Sequence, residues 1–142
     1  MPEQNFSNHK RFHPLYHYFI APLSLVGCIL SGINLAKATP ENHYNAALIF
    51  IVFILFLCIG TLTRVYALKV QDRAIRAEEN FRHFILTGKP LDGRLRLGQI
   101  IALRFASDEE LPALAQKAVA ENMKSTDIKK SITNWRADYK RI

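Results

Sequence analysis

The sequence predicts an all-α membrane protein: a two-helix transmembrane hairpin, its second helix extended into the cytoplasm, followed by three short amphipathic helices. Three observations carry that prediction. Residues Pro14 to Ala36 hold no formal charge over 23 positions, and Asn42 to Thr63 none over 22. Runs of this length match the roughly 20 apolar residues that span a bilayer. Only the five residues Lys37 to Glu41 separate them, so the two runs must fold back on each other. From Arg64 onward the apolar period is helical, and no segment alternates as a strand would. The 142 residues therefore divide into an N-terminal segment, 1–13, a hairpin, 14–63, with spans at about 15–36 and 42–63, and a cytoplasmic part, 64–142. This layout excludes a single soluble domain, a disordered chain and a disulfide-stapled secreted module.

The first run, LYHYFIAPLSLVGCILSGINLA, is diluted by Pro22, Ser24, Gly27, Ser31, Gly32 and Asn34. Lys10 and Arg11 before it and Ala36-Lys37-Ala38 after it resemble a signal peptide, but the run is long for one. Within it, Ser24, Cys28, Gly32 and Ala36 recur every fourth residue and define a helix-packing face. Small residues let backbones approach closely in lipid, where no hydrophobic drive joins helices. That face receives either the second helix, with Phe50, Phe53 and Phe56 filling the groove, or a helix of another protein. Ser31, about 100° further round the helix, lies off it. Thr39-Pro40-Glu41-Asn42 is turn chemistry with a capping residue for the second helix. The second run, Ala46 to Gly60, is almost unbroken Leu, Ile, Phe and Val. Cys28 and Cys58 differ in depth by roughly 12 Å at ~1.5 Å per residue, which is beyond disulfide reach, so both read as buried apolar thiols.

Excess Lys and Arg marks the cytoplasmic side. Lys10 and Arg11 flank the hairpin on one side and Arg64, Lys69, Arg73 and Arg76 on the other, so both termini face the cytoplasm. These last four lie where anionic phospholipid headgroups would meet them, each worth about 1 kcal/mol of attraction. His9, His13 and His17, spaced by four, would align three metal or haem ligands on a helix. Pro14 starts the helix between them, which puts His9 out of register. The preferred reading is an interfacial belt with Phe12, Tyr16 and Tyr18, binding neither metal nor haem.

Beyond the membrane, no Gly or Pro intervenes between Thr61 and Thr87, so one helix runs from about Asn42 to Thr87. Val70, Ala74, Ala77, Phe81, Phe84 and Ile85 form one stripe on it, and Gly88 with Pro90 ends it. Glu78 and Glu79, among Arg73, Arg76 and Arg82, read as solvated helix pairs. A short helix around Leu95 to Phe105 follows. Ser107-Asp108-Glu109-Glu110 reads as a capping box before a helix carrying Leu111, Leu114, Ala115, Ala118, Val119 and Met123. A last helix carries Ile128, Ile132, Trp135, Tyr139 and Ile142 at spacings of three and four. On it, Lys129, Lys130, Arg136, Lys140 and Arg141 form a basic group, while Trp135 and Tyr139 fall on the packed side. A core this small is marginal alone and benefits from a partner.

No Gly-rich phosphate loop, Cys-x-x-Cys, His-Glu-x-x-His or nucleophile elbow occurs, and no catalytic residue or cofactor is expected. The stretches QNFSNHKRFHPLYHY, KVQDRAIRAEENFRHFILTGKPLD, GQIIALRFASDEELPAL and IKKSITNWRADYKRI resemble an uncharacterised bacterial family of short two-span membrane proteins. The resemblance implies a two-span anchor with a basic cytoplasmic helical tail, and it carries no activity. The functional expectation is a non-catalytic accessory or scaffold subunit of a larger complex of the bacterial inner membrane. Its partners would be integral membrane proteins. The alternatives are a tether whose basic surface holds anionic lipid, nucleic acid or ribosome, and a metal- or haem-binding membrane protein.

Overall fold

The computed structural model describes residues 5–8 and 13–138. The described residues contain five α-helices and no strand. The helices are α1 (Ala21–Ala36), α2 (His43–Thr87), α3 (Leu97–Leu103), α4 (Leu111–Ala120) and α5 (Ser125–Ser131), with a π-helical segment, Leu15–Ile20, leading into α1. Two compact units result, Phe12–Ala67 and the combination of Met1–Arg11 with Leu68–Ile142.

The helices Leu15–Ala36 and His43–Thr87, the second of which runs on past the first unit, are long and apolar enough to cross a membrane. Pro22 explains the π-helical start. A proline lacks an N–H and clashes with the carbonyl four residues back. Here the wider turn precedes it, and the Ala21 N–H donates to the Tyr16 carbonyl five residues back. At the other end Asn42 N–H donates to Thr39 O at 3.0 Å, and Asn42 O accepts from Ala46 N–H at 3.0 Å. Asn42 thus holds the cap position at the start of α2. Polar side chains inside the apolar runs bond to their own helix: Ser31 to Cys28 O, Thr61 to Leu57 O and Thr63 to Ile59 O. Such back-bonding satisfies a hydroxyl within an apolar run.

Helix α2 is 45 residues long, about 67 Å at ~1.5 Å per residue, against a hydrocarbon core of ~30 Å. It ends at Gly88, whose φ of 71° suits the left-handed position and whose N–H donates to Phe84 O at 2.8 Å.

The second unit has its core between α3, α4 and α5. Ile100, Leu103, Phe105, Leu111, Leu114 and Ile128 are buried there, with Val119, Met123 and Trp135 packed against them. Helix α2 adds no residue to that cluster. Its inward side consists of Ile75, Glu79 and His83, and the connections across it are largely polar. Asn80 Oδ1 accepts from Leu91 N–H at 2.9 Å, and the His83 ring meets Lys89 O at 2.8 Å. The stripe of Val70, Ala74, Ala77, Phe81, Phe84 and Ile85 is exposed on another side of the helix.

Three local expectations are corrected. The last helix stops at Ser131, and Ile132 is extended at φ −74°, ψ 123°. The chain after it pairs instead with the segment after α3. Ser107 N–H donates to Asn134 O, and Arg136 N–H donates to Phe105 O. An isolated bridge therefore joins Ala106 and Trp135, and the Trp135 ring lies 5.1 Å from Phe105. Tyr139, Lys140, Arg141 and Ile142 lie outside the described residues. The capping box closes only halfway. Ser107 Oγ accepts from Glu110 N–H at 3.4 Å, but the Glu110 carboxylate accepts from the Thr133 N–H, the Thr133 hydroxyl and the Asn134 N–H. That capture of two backbone donors is a physical reason for α5 to end where it does. Finally, Cys58 is exposed rather than buried and Cys28 is half-buried, both as free thiols.

Candidate functional site

The hairpin helices pack closely at Gly27, with Ser31 buried beside it. A Cβ at Gly27 would stand 2.1 Å from Phe53 Cε1, so the ring edge fills the notch that the glycine leaves. At Gly32 the corresponding distance, to Phe50 Cε2, is 3.2 Å. Ser31 and Ala46 are buried. Of the small-residue face read from sequence, Ser24, Cys28 and Gly32 are half-buried and Ala36 is exposed. The packed side is therefore centred on Gly27 and Ser31, about 100° round the helix from the centre of the predicted face, so Ser31, expected off that face, is buried at the contact. A period of three and four (Ser24, Gly27, Ser31) marks it better than a strict period of four. Phe50 and Phe53 fill the groove, whereas Phe56 is exposed and meets Phe53 edge-on at 6.4 Å.

The opposite end of the hairpin is joined through Tyr16. Its hydroxyl donates to Gly60 O at 3.4 Å, and Arg64 stands 5.9 Å over its ring. His17 packs edge-on against Tyr16 at 5.1 Å, and its Nδ1 lies 3.0 Å from His13 O. His9 lies outside the described residues. Among those described, no three His, Cys, Asp or Glu side chains gather as metal ligands would.

In the second unit the charged residues are organised around two arginines. Arg82 donates to Asp108 at 2.7 Å, to Glu79 at 2.9 Å and to Ala106 O at 2.8 Å. Glu79 is only 7% exposed, so it is a buried partner of Arg82 and not a solvated one. Glu78 is exposed as read from sequence. Arg104 is buried, pairs with Asp138 at 3.0 Å and lies 4.7 Å over the Phe105 ring. At the surface, Asp92 and Arg94 clasp each other, and the Arg94 guanidinium holds the Asp92 carboxyl down at about 2. Glu109 is likewise held below the ordinary carboxylate range, chiefly by the Ser107 hydroxyl.

Two grooves follow from this arrangement. One, of about 770 Å³, is walled by Ile75, Glu79, Phe81, Arg82, Arg104 and Asp138. The other, of about 390 Å³, is walled by Arg73, Arg76, Asn80, Leu91 and Asp92. In the larger groove Arg82 pairs with Glu79 and Asp108, and Arg104 with Asp138, while Glu78 and Arg136 also line it. Pairing of that kind fixes loops to a helix. Of the basic residues expected to meet lipid, Lys69, Arg73 and Arg76 are exposed on one side of α2, while Arg64 is half-buried beside Tyr16.

The class defined by these features is an all-helical chain with two helices apolar enough to cross a membrane, the second continuing into a small helical unit. The chain belongs to the family of unknown function DUF6526, whose profile matches residues 1–142. That agrees with the expected membership of an uncharacterised family. No curated protein and no solved structure matches the chain.

Proposed function

We propose that this chain is a non-catalytic accessory or scaffold subunit of an inner-membrane protein complex, anchored as a hairpin with both termini in the cytoplasm. One observation carries the reading. Only 6% of each apolar window is buried within the chain, so most of the hairpin surface is left for lipid or for a partner's helices. The polar contacts from α2 to the loop beside the α3–α5 core, and the pairing of Arg82 and Arg104 in the larger groove, support a docking role. Purification of the full chain in mild detergent tests it. Integral membrane proteins at fixed stoichiometry are the expected result, and a chain recovered in the soluble fraction would sink it.

A second reading, a tether to anionic lipid, is favoured by the shared side of Lys69, Arg73 and Arg76 on α2. It calls for flotation with vesicles containing anionic lipid and for release by salt, since exposed charges are screened within about 10 Å at 0.1 M. Salt-labile RNA or ribosomes in the same preparation would instead favour a nucleic-acid tether.

A further inference from the structure

The exposed stripe on α2 has the spacing of a coiled-coil seam. Val70, Ala74, Ala77, Phe81 and Phe84 follow one another at intervals of four, three, four and three, which is the alternation of heptad d and a positions. Val70 is 67% exposed and Phe81 64%, and both alanines are exposed as well. Ala74 and Phe81 also wall the larger groove of this unit, and all five seam residues remain exposed among the described residues. The buried side of the same helix, Ile75, Glu79 and His83, takes the b, f and c positions, which lie opposite a and d. A seam of this kind in water needs a cover, because large apolar residues in a row are otherwise an aggregation hazard.

We propose that the Val70–Ala74–Ala77–Phe81–Phe84 seam pairs in parallel with the same seam of a second copy of this chain, with Arg73 of each copy set against Glu78 of the other. The charges argue for a second copy. With Val70 at d, Arg73 is a g position and Glu78 the e position of the next heptad. In a parallel pair those two positions meet across the interface, and their charges are opposite. The two-fold axis makes the contact twice. The alanines at a and d in the middle allow the backbones to close in, and the two phenylalanines then stack at the far end. Two heptads alone hold weakly. The proposal therefore rests on the membrane reading above for its orientation and its strength: two hairpins inserted the same way make their α2 helices parallel and raise their effective concentration.

Disulfide trapping on the full chain, with Cys28 and Cys58 replaced by serine, reads this directly. A cysteine at Ala77 should give a cross-linked dimer at least about fivefold faster than one at Arg76, which points ~100° away around the helix. Light scattering in mild detergent should show two copies of the chain per particle. Arg73→Glu should weaken it about tenfold by turning two attractions into repulsions, and Arg73→Glu with Glu78→Arg should restore it. The restoring double variant separates a lost contact from a lost fold. A monomeric mass, equal trapping at both positions, a cross-link from Ala77 to a different protein, or a double variant as weak as the single would each overturn the proposal. A chain absent from the membrane fraction would instead overturn the reading it rests on, so the two failures are distinguishable.

Discussion

Gly27→Ala offers the sharpest test of hairpin packing. The added methyl would stand 2.1, 2.6 and 2.8 Å from three ring atoms of Phe53. Carbon atoms in contact sit about 3.5 Å apart or more, so the ring must retreat by roughly 1.4 Å. In doing so it leaves the notch it now fills. Overpacking of this size costs about 1–3 kcal/mol, and lipid offers no compensating hydrophobic gain. Gly32→Ala meets Phe50 at 3.2 Å and should cost only a few tenths of that range. Gly60→Ala has no neighbour within 4 Å and should be neutral or slightly stabilising. The half-buried Cys28 reports on opening of this interface, in a chain carrying Cys58→Ala. Its labelling by a thiol reagent in mild detergent should rise at least about fivefold in Gly27→Ala, the factor that ~1 kcal/mol gives. In a Phe53→Ala background the same substitution should add under about 0.5 kcal/mol, because its obstacle is gone. A Gly27→Ala chain that labels like the parent would refute the reasoning, as would a cost undiminished without Phe53.

Other outcomes follow from the second unit and the loop. Arg82→Ala leaves Glu79 buried without its cation and should destabilise the unit by about 3–5 kcal/mol, whereas replacing both by methionine should cost far less; chemical denaturation followed by Trp135 fluorescence decides. Glu110→Ala releases Thr133 and Asn134 together and should cost about 1–3 kcal/mol, read by the same fluorescence because Trp135 is the only tryptophan. The depressed Asp92 carboxyl means its contribution to stability is full above the ordinary value of 3.8 and lost as pH falls through about 2. An NMR titration of that carboxyl with a midpoint near 4 would contradict the clasp with Arg94. Cysteines placed at Ala38 should react with an impermeant reagent from the periplasm and those at Ser7 or Ser125 should not; labelling of either terminus from that side would overturn the topology.

The long elements were legible in sequence because a single physical signal dominates each. Two uncharged runs joined by five residues leave no other arrangement, and the start and end of α2 follow from Asn42 and the Gly88 that its left-handed cap requires. What escaped was decided by contacts between distant segments. Helical spacing from Ile128 through Trp135 is real, but Glu110 takes the N–H groups of Thr133 and Asn134, and the chain beyond turns to pair with Ala106. Periodicity within one segment carries no information about a carboxylate arriving from another.

The same limit explains the stem of the second unit. Its apolar stripe is the obvious packing face by composition, and yet the core of α3 to α5 is held to the polar side, through Glu79, Arg82, Asn80 and His83. Hydrogen bonds to loop backbone need polar side chains, and Leu91, Lys89 and Ala106 present backbone groups there. A buried Glu79 is tolerable only because Arg82 lies one turn away and bridges on to Asp108 and Ala106, since a buried charge without a partner is far costlier than a buried methyl. Sequence pattern ranks faces by hydrophobicity, and here hydrophobicity marks the face left exposed among the described residues. An apolar stripe opposite a polar docking side is a division of labour: one side of α2 organises its own chain, and the other is the face proposed to meet a second copy.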